Sequence, residues 1–247
     1  MRVNAKWLPA LVAPAALVLG IAVAQPGTAA TQSVTQSPYV AGYAAVTKSG
    51  GAVTSFIYVQ ATFTVPALNC TSAANGGGVF HAVFLADRTA NPWLNTSRVG
   101  GVQELCQSGS PSYAAINIDY CNSSAPEMAV SQGDTVQVTV SPDAVAIYDR
   151  TTNTSLQNSS GPSCGTSAVA GVVTAEEGRV ANFTQIGFRQ IQVQGSGMSL
   201  PRPLASSGWN VAQYVLKGAS GRADVKPEAL LSGKYTSAFA NDWLAHN

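Results

Sequence analysis

Charge and histidine are what this sequence has least of. Only 10% of its residues are charged, 13 Lys and Arg against 12 Asp and Glu, and only two are histidine. No stripe of Lys and Arg is present to neutralise phosphates, so nucleic acid is excluded as a partner. Two histidines and no C-x-x-C spacing leave a structural zinc site without a ligand set, and neither a metal nor a cofactor is expected. A serine or cysteine hydrolase needs a base, and His81 is the one histidine away from the C-terminus. In HAVFLAD it stands six residues from Asp87, about 20 Å along an extended strand, which excludes a direct His–Asp pair. Aromatic residues are only 8% of the chain, so the platforms that line sugar clefts are lacking. Helical periodicity is also nearly absent.

The N-terminus is the exception to the low contrast of the rest. Arg2 and Lys6 precede an apolar run from Leu8 to about Val23, followed by small residues suited to cleavage after Ala24 or Ala30. The run contains Pro9 and Pro14 and is shorter than the roughly 20 residues of a membrane span. A secretory signal over 1–30 is the expectation, with an extracellular, monomeric domain over 31–247 and no membrane contact after cleavage. Removing Arg2 and Lys6 leaves 11 basic against 12 acidic side chains, a net charge of −1. Four cysteines, Cys70, Cys106, Cys121 and Cys164, then meet an oxidising compartment and predict two disulfides. Three pairings are open; Cys106 and Cys121 flank an apparent hairpin, which favours 106–121 with 70–164.

What is abundant is alternation. In SFIYVQATFTV, Ile57, Val59, Ala61, Phe63 and Val65 share one face, with Tyr58, Gln60, Thr62 and Thr64 on the other. TVQVTV (135–140) and YAAINIDY (113–120) repeat the period of two. Turn-rich connectors separate such runs, at 75–78, 108–112, 132–134, 141–143 and 158–163. In IGFRQIQV the apolar phase shifts after Phe188, which predicts a bulge near Arg189 and Gln190. Ten or more short strands without helices predict an all-β fold, a two-sheet antiparallel β-sandwich. The segment 196–210 is expected to be a surface loop over one end.

Acidic residues outside obvious turns are Asp87, Glu104, Asp119, Glu176 and Glu177. Two carboxylates across a bond suit glycoside hydrolysis, so a carbohydrate-binding or glycoside-hydrolysing lectin-like domain is the alternative reading. Six N-x-S/T sites, at Asn69, Asn95, Asn122, Asn153, Asn158 and Asn182, follow from a composition rich in Ser, Thr and Asn.

Four segments taken in order resemble the glutamic peptidases, the eqolisin or G1 family. VAGYAAV (40–46) is similar to the family's NWAGYV opening, TFTVP (62–66) to its next strand, GDTVQVTV (133–140) to its PGDTI segment, and VANFTQIGF (180–188) to its LANFGTVTF. The resemblance implies a concanavalin A-like sandwich, secretion, and acid proteolysis of polypeptides. It also implies a glutamate that activates water and a glutamine whose amide holds the oxyanion, both projecting from a concave sheet. A carboxylate of ordinary acidity remains ionised at mildly acid pH, and a neutral amide still donates there.

Carried over residue by residue, the pair is absent. With Gly101 on the glycine of the family's IQAGTEQD, the glutamine position is Val99. Laid on AEWIVE, the stretch AGVVTA puts Gly171 at the glutamate position. The family's AWVGIDG becomes AVFLADR, which keeps Asp87, and its YAWYE becomes AAINI beside Tyr113; Asp87 and Tyr113 are expected in the groove. Gln103 with Glu176 or Glu177 is the fallback catalytic set, although Gln103 lies about 13 Å along the strand from Val99. The reading is therefore a family member impaired in catalysis that binds extended polypeptide in its groove.

Overall fold

The computed structural model describes residues 32–70, 77–87, 98–119, 126–159, 167–174, 180–218, 223–233 and 236–244. The signal segment lies outside them, as do Cys121, Cys164, Glu176 and Glu177. Among the described residues there is no helix, and the strands run in chain order as follows. The first eight are β1 (Gln32–Ser37), β2 (Val40–Val46), β3 (Phe56–Thr64), β4 (Leu68–Asn69), β5 (Gly78–Ala86), β6 (Arg98–Gln107), β7 (Ser110–Asp119) and β8 (Glu127–Ala129). Next come β9 (Thr135–Val140), β10 (Ala144–Asp149), β11 (Thr154–Ser159), β12 (Ser167–Val173), β13 (Asn182–Phe183) and β14 (Ile186–Gly195). The last are β15 (Arg202–Pro203), β16 (Asn210–Lys217), β17 (Ala223–Pro227), β18 (Leu231–Ser232) and β19 (Ser237–Trp243).

Pairing resolves most of these strands into two sheets, and β4 with β13 forms a separate two-stranded ribbon. The first has the order β1-β16-β2-β12-β5-β6-β7-β8, antiparallel except for β1, which lies parallel to β16. The second has the order β17-β19-β14-β3-β9-β10-β11, and it joins the first where β16 passes from β2 to β17. This is the predicted all-β antiparallel sandwich. The period-two pattern of β3 puts Val59, Ala61 and Phe63 into the core and Tyr58, Gln60 and Thr62 on the opposite face, where Thr62 is nonetheless buried. The bulge falls where the phase shift placed it: the β14–β19 register slips between Phe188 and Ile191, and Gln190 has φ 54°. A side chain tolerates that left-handed backbone at a cost, which Gln190 offsets by accepting a hydrogen bond from Thr62 Oγ1 at 3.0 Å.

The core holds Phe56, Phe63, Phe188, Phe239, Trp209, Ile147 and Ile191, all between the sheets. Phe188 stacks on Phe239 at 5.2 Å and packs tilted against Phe63 at 5.3 Å. Segment 196–210 is no detached surface loop. It buries Leu204 and Trp209, whose indole donates to Leu204 O at 2.7 Å and meets Phe56 edge-on.

The cysteines pair differently from expectation. Cys70 is bonded to Cys106, with Cα atoms 5.3 Å apart. The β6–β7 register works against the 106–121 pair: Cys106 faces Pro111 beside the turn, and the eight residues from there to Asp119 carry the strand about 26 Å away. The 106–121 and 70–164 pairs are both replaced; Cys121 and Cys164 lie outside the described residues.

Candidate functional site

The face that should carry chemistry is the outer face of the first sheet, and register fixes its layout in rows running across the strands. One row reads Tyr214, Gly42, Gly171, Ala82, Gly101, Ile116 and Glu127. On one side lies Ala212, Ala44, Val169, Phe84, Val99 and Ile118; on the other, Val40, Val173, Phe80, Gln103, Ala114 and Ala129. Val99 and Gly171 are thus two strands and one row apart, close enough for long polar side chains at both positions to converge. Neither position supplies one. Around them Ala44, Ala82, Phe84, Val169 and Ala212 form a second apolar cluster, and Val99 is only 1% exposed.

Backbone packing closes the Gly171 position further. A Cβ there would stand 2.2 Å from Ala41 O, and one on Gly101 would stand 2.2 Å from His81 O. On the facing strand, a Cβ on Gly42 would stand 2.3 Å from Ala170 O. At these three positions the neighbouring backbone approaches so closely that only a residue without a side chain fits. Gly171 cannot be exchanged for glutamate without moving backbone.

The sequence-derived candidates separate onto the two faces. Gln103 lies on the outer face, half-buried, in line with Phe80 and Ala114. Glu104, its neighbour, turns into the core and meets His81, with Oε1 and Nε2 3.3 Å apart and both side chains wholly buried. The imidazole sits among rings, 5.0 Å from Phe183 and 6.4 Å from Phe63. Glu104 therefore cannot serve as a glycosidase carboxylate, and His81 cannot serve a nucleophile at the surface. Tyr113 is not in the groove either: it turns inward opposite Glu104, and its hydroxyl accepts a hydrogen bond from Leu68 N at 3.1 Å. Asp87 follows directly after β5 and is half-buried.

The outer face opens toward β6–β8, where Gln103, Ala114 and Ile118 are half-buried and Ala129 and Glu127 are exposed. Glu127 was not singled out by sequence pattern. Its strand has three residues, too short for alternation to be recognised, and only pairing with Ile116 reveals which face it takes. On the second sheet, a separate cleft of about 670 Å³ lies over Gly187, Ala238 and Ala240, bordered by Arg189 and Glu228. Beside it Gln185 donates to both Glu228 Oε1 at 3.0 Å and Asp242 Oδ1 at 2.7 Å. The described residues contain no group of three or more His, Cys, Asp or Glu able to hold a metal ion.

The model of the Peptidase A4 family matches residues 38–216. Scytalido-glutamic peptidase, solved with a peptide-based transition-state analogue, superposes with a TM-score of 0.63 at 16% identity, covering 83% of this chain and 98% of that one. SCP-B, an eqolisin solved in complex with the tripeptide Ala-Ile-His, gives 0.62 at 15% identity, with the same coverage. Aspergilloglutamic peptidase from Aspergillus niger gives 0.51 at 17% identity, covering 68% of this chain and 99% of that one. At these identities the likeness is one of fold. No match was found among curated proteins.

Proposed function

The chain belongs to the peptidase A4 family, the glutamic peptidases, and from that membership we propose that it holds an extended polypeptide against the outer face of its first sheet without hydrolysing it. The observation that carries this reading is the state of the two positions at which the resemblance puts the catalytic pair. Val99 offers no amide and is shut off from solvent, so an oxyanion there would meet an isopropyl group. Gly171 offers no carboxylate, and its backbone leaves no room for one. Hydrolysis by this scaffold requires a base on water and a donor on the developing oxyanion at once. Removing both leaves the binding surface without the step that breaks the bond.

That relatives of the same fold were solved with a peptide-based analogue and with a tripeptide supports a polypeptide as the ligand class. The ligand would lie on the open β6–β8 flank, with Gln103 supplying a peptide-reading amide and the half-buried Ala114 and Ile118 an apolar bed. Secretion, with the signal over 1–30 removed, is part of the same proposal. Retention on an immobilised unfolded polypeptide tests it: wild type is retained intact, and Gln103→Ala together with Ile118→Ser lowers affinity about tenfold, the loss of an amide contact and of part of the apolar bed. Equal retention of the double variant would remove this face from the account.

A second reading, carbohydrate binding, draws on the cleft of the second sheet, where Gln185 brings the carboxylates of Glu228 and Asp242 together. Retention on insoluble polysaccharide that is lost in Glu228→Ala would favour it.

A further inference from the structure

Glu127 is the single charged side chain that the described strands of the first sheet place on the outer face; every other residue of the three rows is apolar, glycine or, at Gln103, a neutral amide. It has no ion-pair or hydrogen-bond partner among the described residues, and it is exposed at the sheet edge. Its position relative to Gln103 reproduces a relation already met on this face. Val99 and Gly171 are separated by two strands and one row; Gln103 and Glu127 are also separated by two strands and one row, on the opposite side of β6. A half-turn about the sheet normal at Gly101 carries the first pair of positions onto the second. Here, unlike there, the surface is open.

We propose that Glu127 selects the ligand: the β6–β8 flank takes an extended, mostly apolar polypeptide segment carrying one Lys or Arg, whose cationic head pairs with Glu127 while the amide of Gln103 engages the ligand backbone. This inference rests on the polypeptide-binding reading above and specifies its substrate class. Charge complementarity is the physical basis. An uncompensated carboxylate beside an apolar bed repels an acidic segment, tolerates a neutral one and attracts a cation. The bed fixes the spacing, because Glu127 stands one strand, about 5 Å, from Ile116 and two strands, about 10 Å, from Gly101. A basic side chain on Glu127 therefore leaves the neighbouring ligand residues over the half-buried Ala114 and Ile118 and beside Gln103. The preference is modest, because the pair is solvent-exposed, and it weakens with salt.

The test uses three fluorescent decapeptides of Ala, Val, Ser and Thr that differ at one central position, Lys, Gln or Glu, titrated into the full-length secreted protein. The expected order of affinity is Lys above Gln above Glu, with about fivefold between Lys and Glu peptides at low salt and little difference at about 1 M salt. Glu127→Gln should level the series, and Glu127→Lys should invert it; both changes are at an exposed edge and spare the core. Three equal affinities in wild type, or an order unchanged by Glu127→Lys, overturns the selection by Glu127 while leaving polypeptide binding in place. Failure of all three peptides to bind overturns both.

Discussion

At the scale of single residues, the informative features are the ones that break the apolar and neutral pattern. His81 and Glu104 are wholly buried against each other within an aromatic shell. Burying two polar partners costs desolvation that their attraction barely offsets, and removing one leaves the other uncompensated. Glu104→Met and His81→Leu, made singly, should each cost about 3–5 kcal/mol, whereas the double change should be neutral or stabilising. Urea denaturation of the three variants checks this; additive losses would show that the pair is not coupled. Gly171 makes the complementary point. Installing the family's carboxylate by Gly171→Glu, with Val99→Gln, should not create a peptidase. The new Cβ meets Ala41 O at 2.2 Å, so a loss of several kcal/mol in stability is expected. A soluble double variant with acid protease activity would contradict the closed backbone.

At the scale of elements, turns and strand pairings decide what alternation leaves open. The β10–β11 turn is organised by Asp149, whose carboxylate accepts from Thr151 N at 2.8 Å, Thr152 N at 3.3 Å and Thr152 Oγ1 at 2.7 Å. Burial works against its ionisation, but these donors outweigh it and hold the carboxyl below the ordinary carboxylate range. A lowered value means that the stabilisation is present at neutral pH and is lost as acid protonates the folded carboxylate. Asp149→Ala should therefore cost about 1 kcal/mol near neutrality, and the difference from wild type should vanish well below about pH 4. Thermal melts across pH measure it; a difference that grows in acid has the wrong sign. The same scale shows what could be read beforehand. The strands, the bulge at Gln190 and the fold class were legible because a period of two and its interruption are local signals. Which face of β7 looks inward was not: Ala114, Ile116 and Ile118 lie on the outer face, and the core takes Ala115 and the amide of Asn117, which donates to Val145 O. The disulfide failed for a related reason, since pairing of cysteines depends on a register that spacing alone does not contain. The side-chain partners of Glu104 and the face of Glu127 are likewise products of pairing.

At the scale of the whole molecule, two sheets share one core and the first is clamped near the β6–β7 turn by Cys70–Cys106. That bond closes a segment of 36 residues, and replacing both cysteines by serine should lower stability by about 4 kcal/mol without changing the fold. The central proposal concerns chemistry: that this glutamic-peptidase sandwich keeps a ligand face and lacks its bond-breaking pair. Its most direct test is incubation of the purified protein with an acid-unfolded polypeptide between about pH 2 and pH 5, the range in which a carboxylate base and an amide donor work together, with products followed by mass spectrometry. The account predicts an intact polypeptide at every pH. Cleavage fragments that disappear in Gln103→Ala would contradict it.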